Sequence, residues 1–250
     1  PGILSLLVSI ALAFAIFFTL MKYKLKYIIK IWFFCVIVLA LSVSLNAFIA
    51  NQIISSSVLA LLIAIPLTIL KIFRPSMLTH NGTEILIYPG IAAIISPLIS
   101  IWGIIILLIL IALYDAWAVW HSGLMQKMAK YQMEEVKIFG GLLIPHMDKK
   151  TKAKIKTLKQ KYKKAELREK LEGKRFKINL AILGGGDIVF PIITMGVFMR
   201  LFPEASLFGI PGLIPALFIL GGSFLALTHL FLITRKGKAY PAMPWISSGI

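Results

Sequence analysis

The feature that most constrains this chain is the recurrence of apolar runs of membrane-spanning length. A bilayer core ~30 Å thick requires ~20 residues of helix. The stretches 31–50, 55–70, 101–113 with its flanks, and 208–233 fit that requirement. They are apolar all round, and a soluble core cannot absorb so many such helices. Composition agrees, because 59% of the 250 residues are hydrophobic, against ~45–50% in soluble domains. The expected fold class is all-α: a polytopic transmembrane helix bundle embedded in a lipid bilayer.

Eight segments are expected, at roughly 2–20, 28–50, 54–72, 85–99, 100–120, 178–201, 207–233 and from 239 onward. Pro89, Gly90 and Pro97 shorten the fourth segment and separate it from the fifth. The first segment has no basic residues before it and no small-residue cleavage site after it, so it is read as a span and not as a cleaved leader. The expected organisation is N-terminal helices over 1–120, including the first aspartate helix, then a basic, mobile loop over 121–177, then C-terminal helices over 178–250.

The net charge of +17 does not mark a nucleic-acid binder, because the basic residues lie between apolar spans. Their distribution orients the chain. The connections at 21–30, 71–83, 121–177 and 234–238 are basic and alternate with connections that lack Lys and Arg; of 27 basic residues, Arg200 alone falls on the other side. The 121–177 loop is therefore expected in the cytoplasm. It holds 17 Lys or Arg and 6 Asp or Glu. It is read as a solvated segment attracted to anionic headgroups, with substrate gating as the sharper alternative. Asn81-Gly82-Thr83 forms a glycosylation sequon but lies on the cytoplasmic side, so it is expected unmodified. The single cysteine, Cys35, permits no intramolecular disulfide.

Of ten acidic residues, six lie in that loop and Glu84 and Glu204 fall at span edges, which leaves Asp115 and Asp187 inside apolar segments. A carboxylate at the centre of a membrane helix costs ~2.5–3.5 kcal/mol on insertion scales, and no cation is expected beside either. Two such acids are expected to serve each other. Asp115 lies six residues before His121 and Asp187 ten after Lys177, hence ~9 Å and ~15 Å along a helix. Continuation of the Asp115 span through Ala116–Leu124 would bring the two depths closer. Two carboxyls a few ångströms apart share one proton, so that one activates water while the other polarises a carbonyl. This chemistry requires no metal and no cofactor.

The flanking residues suit that role. Gly184, Gly185 and Gly186 precede Asp187 and allow close backbone approach, and Pro191 follows one turn later. Pro241-Ala242-Met243-Pro244 opens the last segment and prevents regular helix there. Unpaired backbone at that depth is tolerated only against protein or a water-filled cavity.

Tyr114-Asp115, Gly184-Gly185-Gly186-Asp187 and Pro241-Ala242-Met243-Pro244, in that order on three apolar segments, resemble the Tyr-Asp, Gly-x-Gly-Asp and Pro-Ala-Leu pattern of the presenilin and signal peptide peptidase family, and look closest to its archaeal members. The resemblance runs from about Tyr27 to Pro244. It implies an intramembrane aspartyl protease with Asp115 and Asp187 as the catalytic pair. Tyr114, the three glycines and the 241–244 stretch would be its active-site neighbours, with Met243 in place of the family leucine. It also implies nine helices, of which the first is expected to be missing here and the last cut short. The expected substrates are transmembrane helices of other proteins, entered with the amino terminus outside. No accessory subunit is implied, and a homo-oligomer stays open. The extended substrate is expected to pair with a protein edge, supplied by Leu171–Leu183 or by Pro241–Pro244.

Three other readings compete. A serine protease built on Gly221-Gly222-Ser223 and His229 fails, because Ser and His face different sides of one helix. A metal site fails because His80, His121, His146 and His229 have no ligand spacing. The remaining rival is a proton or cation pathway lined by the two aspartates. It leaves the joint occurrence of three motifs unexplained.

Overall fold

The computed structural model describes residues 3–49, 56–74, 76–122, 140–146, 179–233 and 240–250. Among the described residues eight α-helices run in chain order: α1 (Ile3–Lys22), α2 (Lys26–Phe48), α3 (Ser56–Phe73), α4 (Met77–Ile95), α5 (Ile101–Trp117), α6 (Gly185–Leu201), α7 (Leu213–Ile233) and α8 (Met243–Gly249). Between α5 and α6 lies an antiparallel ribbon of β1 (Gly141–His146) and β2 (Asn179–Gly184). Among the described residues, α2, α3, α7 and α5 extended to His121 are long and apolar enough to cross a membrane.

Two clusters of buried side chains hold the bundle. The first joins Ile37 and Leu41 of α2, Ala64 and Ile72 of α3, and Ile87 and Tyr88 of α4. The second joins Ile104 and Leu107 of α5, Ile193 and Val197 of α6, and Met243 and Ile246 of α8. Val189 and Ile192 of α6 pack against both clusters, so α6 lies between them. The opposite faces are just as apolar: Trp102, Phe218, Leu225 and Leu232 are exposed. Such a surface is a liability in water and the natural one in lipid.

Several helix ends and polar side chains are satisfied locally, as a low-dielectric surround favours. Ser76 Oγ accepts from Thr79 N at 3.1 Å to cap α4, and Ser100 Oγ accepts from Gly103 N at 3.2 Å to cap α5. Within the helices, Thr68, Thr194 and Ser223 each donate to the carbonyl four residues earlier. The break between α4 and α5 falls at residues 96–100, as a 3-10 turn over Ser96–Leu98, and Pro89 and Gly90 sit within α4. Arg200, the exception to the charge pattern, bonds across this break: its guanidinium donates to Pro97 O and Ile99 O, both at 2.8 Å.

Glycine sets the closest helix contacts. A Cβ on Gly90 would strike the Ala40 carbonyl, which brings α4 against α2, and a Cβ on Gly222 would strike the Gly249 carbonyl, which brings α8 against α7. Small residues let membrane helices approach in this way.

Three expectations need correction. Helix α4 begins at Met77, eight residues earlier than the fourth segment was placed. The sixth segment does not start as helix: Asn179–Gly184 is extended and pairs with Gly141–His146. The third concerns charge at depth. Lys71 is buried in the last turn of α3 and its Nζ lies 2.6 Å from Glu84 Oε1, so Glu84 is a buried acid like Asp115 and carries its own cation. Of the 121–177 loop, residues 121–122 and 140–146 are described; its expected mobility concerns residues outside the described ones.

Candidate active site

Asp115 lies near the end of α5 and is buried. The helix continues past it as a π-helical turn over Ala118–Ser122, a departure often found beside functional groups. The Asp115 backbone carbonyl accepts from Ala118 N, while its carboxyl turns toward α8. Met243 N donates to Asp115 Oδ2 at 3.0 Å, and the Ala242 backbone also bonds this carboxyl. Pro241 and Met243 are buried there. Helix α8 begins within this stretch, at Met243 with Pro244 in its first turn, and the two N–H groups of 241–244, free at the helix N-terminus, turn onto the first aspartate.

Asp187 is the third residue of α6, whose N-cap is Gly184. Its carboxyl folds back on the Gly184 backbone, the position from which a third helical residue satisfies an N-cap amide. A Cβ on Gly184 would lie 3.0 Å from Asp187 Oδ2, and one on Gly185 would lie 3.2 Å from Gly140 O and 3.4 Å from the Tyr88 ring. Bare backbone at 184 and 185 is therefore what lets Asp187 close over the strand end. Gly185 N also donates to Gly140 O at 3.3 Å, carrying the ribbon's pairing into the first turn of α6. Gly186 is exposed, against Phe190.

Helices α5, α6 and α8 pack on one another, and Asp115 acts electrostatically on Asp187. The structure thus brings together Asp115, Asp187, Gly184, Gly185, Ala242 and Met243. Tyr114 is placed differently: it is 39% exposed and its ring centre lies 6.3 Å from that of Trp117. The residues of the discarded serine-protease reading serve packing. Gly222 meets Gly249, Ser223 bonds within its own helix, and the His229 ring packs at a tilt with its centre 5.1 Å from that of Trp245. Among the described residues no cluster of metal-ligand type occurs.

The sequence reading missed the polar cluster beside the ribbon. Lys71 Nζ reaches Glu84 Oε1 at 2.6 Å, Thr83 Oγ1 at 3.3 Å and His80 Nδ1 at 3.4 Å. His80 Nε2 lies 2.8 Å from Gly141 O. Because a carbonyl only accepts, Nε2 carries the proton. Asn81 bonds Leu143 through both its amide atoms, which gives a physical reason for the sequon to stay unmodified. A signal for β1 was present: Gly140-Gly141-Leu142-Leu143-Ile144-Pro145 is a short apolar run bounded by glycine and proline inside a charged loop.

The chain matches the sequence model of the family described as "Signal-peptide peptidase, presenilin aspartyl protease" over residues 3–250. Comparison with curated proteins gives no match. A solved structure described as "Structure of a presenilin family intramembrane aspartate protease in C222 space group" is similar at a TM-score of 0.58 and 18% identity, covering 98% of this chain and 79% of that one. At that identity the likeness speaks for the fold. With the family model matched along nearly its whole length, the chain belongs to the signal-peptide peptidase and presenilin aspartyl protease family.

Proposed function

We propose that Asp115 and Asp187 are the catalytic pair of this intramembrane aspartyl protease and that they hydrolyse peptide bonds in transmembrane helices of other proteins. One observation carries the reading: three segments far apart in sequence meet at one carboxyl. Asp115 of α5 lies within electrostatic reach of Asp187 of α6 and is held by the backbone that opens α8.

The pair begins with one proton between its two carboxyls. The ionised carboxyl takes a proton from water as the water oxygen attacks the scissile carbonyl carbon. The protonated carboxyl gives its proton to the carbonyl oxygen, producing a gem-diol. On collapse the C–N bond breaks, and the nitrogen takes the proton that came from water. A hydroxyl proton returns to the other carboxyl as C=O reforms, which restores the starting state. Backbone donors on Asp115 and the Gly184 contact of Asp187 fix the orientation of both carboxyls before substrate arrives, the kind of preorganisation that positional catalysis needs.

A helical peptide bond must be unwound before water reaches it, and its freed backbone groups then require partners within the membrane. Pro241–Pro244 is poorly suited to provide them: two of its residues lack N–H groups and the other two bond Asp115. Strand β2 leads directly into Gly184 and Asp187 and is the better edge for an added strand.

The charge bias favours a cytoplasmic 121–177 loop and substrates whose amino terminus lies outside. Protease treatment of sealed vesicles checks this, and cleavage of the loop only from the outer side would overturn it. For the reaction, purified protein is incubated with a helical membrane-spanning substrate. Peptide products are expected, lost in Asp115→Ala and in Asp187→Ala. Cleavage persisting in both variants, or none by the parent chain, would overturn the reading.

A further inference from the structure

The ribbon has two outer edges, and α4 treats them unequally. Asn81 Nδ2 donates to Leu143 O at 2.8 Å while Leu143 N donates to Asn81 Oδ1 at 3.0 Å. The amide side chain thus bonds β1 as a neighbouring strand would, once in each direction. Two residues away, His80 Nε2 donates to Gly141 O at 2.8 Å. Gly141 and Leu143 share one edge, because backbone direction alternates with every residue of an antiparallel strand. Pro145 has the same parity and has no N–H to offer, which is why proline is tolerated there. The outer edge of β1 is therefore occupied at Gly141 O by His80 and at both backbone groups of Leu143 by Asn81, and it lacks a donor at Pro145.

The register decides what is left. Gly141, Leu143 and Pro145 lie opposite Gly184, Ile182 and Leu180. Residues opposite one another in such a pair turn their backbone groups the same way relative to the ladder, so Leu180, Ile182 and Gly184 point away from β1. Gly184 is taken by the Asp187 carboxyl. Behind the clamp, Lys71 of α3 ties Glu84, Thr83 and His80 of α4 together. The face of α4 that meets the ribbon is thereby held from a second helix.

We propose that Asn81, supported by His80, is a positioning residue: it closes the outer edge of β1, so that an extended substrate adds to β2 alone, in one register with Asp187. This rests on the protease reading and adds to it the group that selects the edge. A strand that finds two open edges, or a ribbon free to slide, presents more than one peptide bond to the carboxyl pair. A slip that keeps side chains on the same face moves the chain by two residues.

The test compares the full chain with Asn81→Ala and Asn81→Gln, using a helical transmembrane substrate, mass spectrometry of the products, kcat and KM, and amide hydrogen exchange in detergent. In Asn81→Ala the Leu143 amide is expected to exchange about tenfold faster, the size set by loss of one net hydrogen bond. Products are expected to spread from one dominant bond to bonds two residues apart, with a lower kcat. Asn81→Gln keeps both a donor and an acceptor and is expected to restore the dominant product in part. Simple destabilisation would give the parental products from fewer active molecules, and that result would overturn the proposal. Parental exchange at Leu143 in Asn81→Ala would overturn it as well, whether or not substrate is cleaved. If Leu143 exchange rises but the parent cleaves nothing, the protease reading falls and the steering role falls with it.

Discussion

The backbone N–H of Met243 donates to Asp115 Oδ2 at 3.0 Å, joining residues 128 apart in sequence. The bond makes the start of α8 part of the wall around the first aspartate. Ala242 and Met243 are the N-cap and first residue of α8, so their N–H groups have no partner within that helix and are available to the carboxyl.

Asp115→Asn and Asp115→Ala are expected to part company in stability. Both lose cleavage, since neither can exchange a carboxyl proton. Asparagine keeps an oxygen for the Met243 amide, whereas alanine leaves a buried donor unsatisfied at a cost of ~1–3 kcal/mol. Thermal unfolding in detergent should place Asp115→Asn near the parent and Asp115→Ala clearly below it.

Met243 is 3% exposed in the second core cluster. Met243→Leu conserves volume and is expected to cost less than ~1.5 kcal/mol and to retain activity. Met243→Ala opens a cavity at the foot of α8, with an expected cost of ~2–5 kcal/mol, and lets the amide drift from Asp115. Unfolding midpoints together with kcat on one substrate check both statements.

Gly222 and Gly221 are neighbours with opposite expectations. A Cβ at 222 runs into the Gly249 backbone, while one at 221 meets nothing within 4 Å. Gly222→Ala should push α8 from α7, lower stability by ~1–3 kcal/mol and reduce cleavage, because α8 carries Met243. Gly221→Ala should leave both unchanged. Equal effects of the two substitutions would show that the close helix contact is not what holds α8 in place.

The Lys71–Glu84 pair is buried on both sides, each side chain being 3% exposed. Removing one partner strands the other charge, so Lys71→Met or Glu84→Leu alone should cost ~3–5 kcal/mol. The double variant Lys71→Met/Glu84→Leu should cost much less than the sum. A double-mutant cycle on unfolding midpoints measures the coupling.

Much of the frame was legible in the chain. The apolar runs anticipate eight segments, the fifth and sixth carry the two aspartates, and α5 and α6 are where those residues stand. Lys71 and Glu84 were misplaced because each lies at the end of an apolar run, where composition cannot distinguish a solvated charge from a buried pair. Strand β1 was missed because its six residues sit inside a loop dominated by charge. Tyr114, adjacent to the aspartate in sequence, turns outward toward Trp117 because consecutive helical residues point about 100° apart.

The sequence by itself determined the solvent, the order of the apolar segments, and the few polar residues worth following into the bilayer. Those follow from local quantities: hydrophobicity summed over one helix and the cost of a charge in oil. Tertiary structure alone decided that Met243 meets Asp115 and that Asn81 meets Leu143, 62 residues away. The physical reason is that these helices are apolar on every side. Ile104 and Leu107 are buried while Leu110 and Leu113 on the same helix face outward, and nothing in their chemistry distinguishes protein from lipid. Which faces meet is settled by fit between helices, at glycine contacts and at a handful of hydrogen bonds.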